Sequence, residues 1–157
     1  VLSLTNVKGY AADVRSEKSI AKAVAKLTYA FANANVPKVN VITGEAYGSA
    51  YVTMNSKALG ADVTYAWPDA SIGMMDANEA AKIMYADDIA KSADVQSVIS
   101  EKAAEYAALQ SGVESAAARG YVDTIINPED TRKYVAAAFE MLYTKREDRP
   151  DKKHGTV

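Results

Sequence analysis

Polar and apolar residues alternate through Val1-Leu-Ser-Leu-Thr-Asn-Val7, which predicts a strand. After a loop containing Gly9 and residues 13–16 the period changes. Ile20, Val24, Leu27, Phe31 and Ala34 recur at helical spacing, so a helix is expected from a Ser16 cap to about Asn35. Val36-Pro37 ends it. Residues 39–43 (Val-Asn-Val-Ile-Thr) are almost continuously apolar, as strands buried in parallel sheets are. Gly48-Ser49-Ala50 follow, three small residues where the chain turns from strand to helix. A helix over residues 50–59 is expected next, stopped by Gly60. Residues 63–67 and 70–74 read as two short strands parted by Pro68-Asp69, and Asp76 caps a helix running to Met84 or beyond. Residues 92–119 are alanine-rich and helical, broken near Gly112, and residues 121–126 form a last strand. Asn127-Pro-Glu-Asp130 signals a helix start, with an Asn cap, Pro at the first position and acids facing the helix dipole. That helix carries Tyr134, Val135, Ala138 and Leu142 on one face.

Strands that alternate with helices make an α/β chain with largely parallel pairing. Its 157 residues suffice for one domain, residues 1–145, followed by a charged, loose tail at 146–157. The chain opens at Val1, inside a strand, and reads as a piece of something longer. With 49% hydrophobic and 24% charged residues the composition is that of a soluble globular protein. A net charge of -2 offers no electrostatic footing for nucleic acid or an anionic membrane. The lack of cysteine excludes disulfides, thiolate metal sites and a cysteine nucleophile, and fits a reducing cytoplasm. No apolar run approaches the ~18 residues of a membrane span, and no signal peptide is recognisable. One histidine and scattered acids argue against a metal site.

The corner at 48–50 is the candidate for chemistry. Main-chain N–H groups at a helix start, bare of side chains, suit a negative charge that develops in a transition state. Phosphate cradling uses the same geometry, but the glycine-lysine and dinucleotide fingerprints are absent. Plain helix-on-strand packing also wants small residues. Tyr47 and Tyr51 bracket the corner, placed either to stack on a flat ring or to fill the core. Ser49 makes a poor nucleophile, because the only histidine, His154, lies in the tail and G-x-S-x-G does not match. Lys57 and Asp62 read as structural, and His154 with Lys152 and Lys153 as a solvated end or subunit contact.

Several ordered motifs carry a family resemblance: Val36-Pro-Lys-Val-Asn-Val-Ile-Thr43, Ala46-Tyr-Gly-Ser-Ala-Tyr51, Ser56-Lys-Ala-Leu-Gly-Ala-Asp62 and Tyr65-Ala-Trp-Pro68. Toward the end come Ala118-Arg-Gly-Tyr-Val-Asp123, Pro128-Glu-Asp-Thr-Arg132 and Lys152-Lys-His-Gly155. Together they resemble the carboxyltransferase subunit of biotin-dependent acyl-CoA carboxylases and decarboxylases, of the propionyl-CoA/methylmalonyl-CoA type. The resemblance implies a crotonase-like (ClpP/crotonase) ββα spiral, most of the C-terminal of two such domains. It implies a hexamer whose active sites lie between the N-domain of one subunit and the C-domain of another. The cofactor is then biotin on a separate biotin carboxyl carrier protein, and the substrate an acyl-CoA held mostly by the carboxyltransferase N-domain.

Carried over, the N–H groups of Ser49 and Ala50 form the oxyanion hole for the biotin ureido oxygen, with Tyr47, Gly48, Tyr51 and Val52 around biotin and substrate. Members usually have Gly-Gly-Ala where this chain has Gly48-Ser49-Ala50, and often an acid where Val52 stands. The turn after the first strand, usually Pro-Gly-Phe-like, is Lys8-Gly-Tyr10 here. The family's chemistry, carboxyl transfer through CO₂ with a biotin nitrogen collecting the α-proton, needs no protein acid or base. Two further readings stand beside it. Asp76 falls where crotonase-type hydratases and isomerases carry a catalytic carboxylate, though it is also a plain helix cap. A non-catalytic assembly module is the other, self-associating through Val95, Val98, Ile99, Ala103 and Ala107.

Overall fold

The structure is a computed structural model and describes residues 1–152 and Gly155. Its centre is a parallel sheet in the order β1-β2-β3-β5: β1 (Leu2–Val7), β2 (Val39–Tyr47), β3 (Val63–Ala66) and β5 (Thr124–Ile125). A further strand, β4 (Ser71–Gly73), pairs in parallel with the far end of β2. Leu2↔Val39 and Val39↔Val63 set the register, so apolar residues of β2 and β3 share faces. Val39, Val41, Val63 and Tyr65 meet α8 (Thr131–Met141) through Ala138 and, less buried, Val135. Ile42 and Ala46 pack on the opposite side with Ile72, Val113 and Val122.

Several expected boundaries move. The strand predicted over 39–43 runs on to Tyr47, because Asn6 stands in for the ladder where the register slips between Thr5 and Val7. The Asn6 side-chain oxygen accepts the Glu45 N–H at 3.0 Å, and a Cβ on Gly44 would stand 2.8 Å from that oxygen. Ser16 caps no long helix. Asp13 instead accepts from the Arg15 and Ser16 N–H groups and starts α1 (Val14–Glu17), and α2 (Ile20–Asn33) begins after Ser19. The helix expected over 50–59 is only α3 (Gly48–Thr53), since Asn55 takes φ 54° and breaks it. A 3₁₀ turn at Lys57–Leu59 then ends at left-handed Gly60. The expected strand at 121–126 shrinks to β5, and Asn127 precedes a 3₁₀ turn without a side-chain capping bond.

Between β4 and β5 the chain makes a helical excursion. It comprises α4 (Ala77–Met84), α5 (Ala86–Lys91), α6 (Val95–Tyr106), a π turn (Ala107–Ser111) and α7 (Val113–Ala118). Here α4 lies against α6, and Ile99 and Ala103 are buried within the chain itself. Of the five residues of the expected association face these two are therefore turned inward, while Val95 is exposed and Val98 and Ala107 are half-buried.

Residues 145–152 have no regular secondary structure but are anchored. Asp62 accepts the Lys38 N–H at 2.8 Å and the Lys145 ammonium at 2.8 Å, and Lys145 also pairs with Glu147. Lys38, fully buried, donates Nζ to the Phe31 carbonyl at 2.9 Å, which closes the last turn of α2. Burial first, then the charges of Arg149 and Lys145, lowers the Lys38 pKa.

Candidate functional site

Because β1, β2 and β4 run parallel, their carboxyl ends come out together, the usual place for a ligand in such a sheet. A cavity of about 380 Å³ opens there. Lys8, Gly9 and Tyr10 line it from the turn after β1, and Tyr47, Gly48, Ser49 and Ala50 from the end of β2. Met74, Met75 and Asp76 complete it after β4, with Glu79 from the first turn of α4.

At the corner, Gly48 takes φ +59°, and a Cβ there would also stand 2.9 Å from the Met74 carbonyl oxygen. Only glycine meets both demands. No side chain caps α3. The N–H groups of Ser49 and Ala50 lie in the first turn, where the helix itself offers no acceptor, and both residues line the cavity. Among the described residues Asn55 is the one non-glycine with positive φ, so Ser49 sits on ordinary backbone. The serine at position 49 thus strains nothing, and it is exposed. Ala50 is 3% exposed.

The electrostatics around the corner come from the two neighbouring turns. The Lys8 ammonium lies 3.0 Å from the Glu45 carboxylate, whose hydrogen bond and charge raise the lysine pKa. Asp76 is a working helix cap, accepting the Asn78 N–H at 2.9 Å. Burial alone would raise its pKa. Hydrogen bonds from Asn78 and Glu79 and the Lys8 charge outweigh that and hold the carboxyl below its ordinary range. Asp76 is thus ionised at neutral pH. Its folded pKa lies below the unfolded one, so its stabilisation is full above pH ~4 and fades as pH falls through the folded value. Asp76→Ala is expected to cost ~1 kcal/mol at pH 7, and Asp76→Asn, an equally good cap, much less. Denaturant melts at pH 7 and pH 3 check both, with the gap between parent and Asn variant closing in acid.

Of the residues singled out from the sequence, Tyr47, Gly48, Ser49, Ala50 and Asp76 converge on the cavity. Tyr51 does not: it packs in the core with Ile42 and Ala46, and burial raises its pKa. Val52, 39% exposed, is not among the cavity-lining residues. Lys57 pairs with Asp123, which in turn accepts the Thr64 N–H at 2.8 Å, a structural link. Lys153 and His154 lie outside the described residues. The sequence reading gave no role to Lys8, Met74, Met75 or Glu79. Lys8 was within reach of it, since parallel strands that neighbour each other must end side by side.

An α/β chain built on a parallel sheet, with a glycine corner at the carboxyl ends of its strands, is the arrangement expected of a crotonase-like domain. The carboxyl transferase domain family model matches residues 1–157, and the chain belongs to that family. It is 47% identical over 158 residues to the putative propionyl-CoA carboxylase beta chain of Bacillus subtilis, covering 100% of this chain and 31% of that one. Identity is 39% over 162 residues to the biotin-dependent acetyl-/propionyl-coenzyme A carboxylase beta5 subunit of Mycobacterium tuberculosis, covering 100% and 30%. The crystal structure of the transcarboxylase 12S hexamer, with methylmalonyl-coenzyme A and methylmalonic acid bound, superposes with a TM-score of 0.92 at 42% identity. That match covers 98% of this chain and 30% of the other. The chain thus spans about a third of the length of the relatives it matches.

Proposed function

We propose that this chain supplies the biotin-facing side of an acyl-CoA carboxyltransferase site. The observation that carries the reading is the pair of N–H groups, of Ser49 and Ala50, at the wall of one cavity and free of any side-chain cap. The cavity fits the head group of biotin chemically: main-chain donors stand at the corner, Met74 and Met75 give apolar contact, and the carboxylates of Asp76 and Glu79 line it as acceptors for a ureido N–H. Biotin, when bound, supplies the nitrogen that carries the carboxyl group and takes up the substrate α-proton.

The rest falls to the protein. The Ser49 and Ala50 N–H groups hold the ureido oxygen as negative charge grows there, an interaction stronger in the transition state than before it. Gly48 lets the backbone approach without a side chain in the way. Lys8 lines the cavity beside β1, its charge paired with Glu45. Val52, 39% exposed and outside the cavity lining, borders the acyl side of the site, whose other half is the carboxyltransferase N-domain. The remaining partners are a biotin carboxyl carrier protein and further copies of the subunit, in a hexamer.

Reconstitution tests this directly. Carboxyl transfer from a carboxybiotinylated carrier to propionyl-CoA is expected only when this chain, the N-domain half and the carrier are combined. Transfer at full rate without this chain would sink the proposal. Asp76 at the cavity keeps the hydratase reading in view. Steady hydration of crotonyl-CoA by the pure chain, abolished in Asp76→Asn, would favour it instead.

A further inference from the structure

We propose that Ser71 is a positioning residue for the corner, acting through Tyr47 to set the direction of the Ser49 and Ala50 N–H groups. The inference rests on the carboxyltransferase reading above and adds a residue that does not itself line the cavity.

Tyr47 ends β2 immediately before Gly48, so any backbone rotation at Tyr47 swings the whole corner. Gly48 offers little resistance, because glycine populates φ of either sign. The ladder pairing of Tyr47 with Gly73 limits that rotation on one side, and the Tyr47 side chain supplies a second hold. That side chain is 6% exposed, and its hydroxyl donates to Ser71 Oγ at 2.9 Å. Ser71 Oγ in turn donates to the Ser111 carbonyl at 3.3 Å. The serine hydroxyl thereby accepts once and donates once, as its chemistry allows.

Ser71 is itself gripped from two sides. Its main chain pairs with Glu45 of β2, and it forms an antiparallel bridge to Gly112. Ser111 closes the π turn, a local irregularity that often accompanies functional sites. The Tyr47 ring also lies flush against Gly73, where an added Cβ would stand 3.9 Å from ring carbons Cδ1 and Cε1. The tyrosine before the corner is thus held by β4 at its ring and by Ser71 at its hydroxyl. A buried phenol needs some partner in any fold. If that were all, losing Ser71 would lower stability and leave turnover alone.

The test uses Ser71→Ala, Tyr47→Phe and the double variant in the reconstituted complex. Both singles are expected to lower kcat about tenfold, the scale of one lost neutral hydrogen bond, with KM for acyl-CoA unchanged. The double variant should be no worse than either single, and Ser71→Thr, which keeps the hydroxyl, should recover most of the rate. A second readout does not depend on turnover. Biotin should protect the Ser49 and Ala50 amides from hydrogen exchange in the parent complex, and less so in Ser71→Ala at equal melting temperature. Parental kcat and parental protection in Ser71→Ala would overturn the positioning role. Ala50→Pro, run alongside, separates the two claims. A silent Ser71→Ala beside a crippled Ala50→Pro overturns the positioning role alone. An Ala50→Pro at the parental rate overturns the oxyanion reading, and Ser71 with it.

Discussion

Ala50→Pro is expected to reduce carboxyl transfer in the reconstituted complex by ~10²–10³, the usual consequence of losing one oxyanion donor. Proline deletes the N–H and nothing else that the chemistry uses. Ala50 is the third residue of α3, within the first turn, where no intrahelical bond depends on that N–H. Proline does disfavour helical backbone at the residue before it, here Ser49, so circular dichroism and oligomer size must match the parent. Ser49→Gly is the companion. The donors are main-chain, and the Ser49 side chain is exposed on unstrained backbone, so transfer should be kept or improved. A folded Ala50→Pro complex at parental rate, beside an inactive Ser49→Gly, would mean that the serine hydroxyl does the chemistry.

Gly48→Ala should damage both fold and turnover. The residue sits at φ +59°, which costs an alanine roughly 1–2 kcal/mol on its own. Its methyl group would also stand 2.9 Å from the Met74 carbonyl, a backbone atom that yields only if the segment after β4 moves. Stability is therefore expected to fall by at least the backbone cost, with transfer dropping by tenfold or more as the N–H groups swing away. Chemical melts and turnover together check this. Parental stability would show that the corner tolerates a side chain and that the glycine is not needed there.

Much of this was legible in the sequence because the signals are local. Alternation at 1–7 and the apolar run from Val39 mark two strands that pair, and three small residues after a strand mark the corner. What could not be read depends on distant partners. The extension of β2 to Tyr47 needs Asn6 to supply a bond across 39 residues. The chain just past α8 is anchored because Lys145 reaches Asp62 across 83 residues, a pairing no periodicity reports. The helix after the corner is short because Asn55 adopts left-handed backbone, a choice open to asparagine but not demanded of it. Tyr47 and Tyr51 look alike in sequence. Tyr51 lies in the core, whereas Tyr47, although 6% exposed, borders the cavity. Lys8 reaches the site through strand order alone, since β1 lies beside β2 and both end at the corner.

In the proposed site the two main-chain N–H groups after Gly48 hold the biotin oxygen. Hydrogen exchange of the intact complex, resolved to single residues across the segment from Gly44 to Met54, measures this most directly. Biotin is expected to slow exchange at Ser49 and Ala50, and Ala50→Pro to abolish the effect at Ser49 as well, because one donor alone holds the ureido oxygen poorly. Bound biotin that leaves both amides exchanging at their free rate would contradict it.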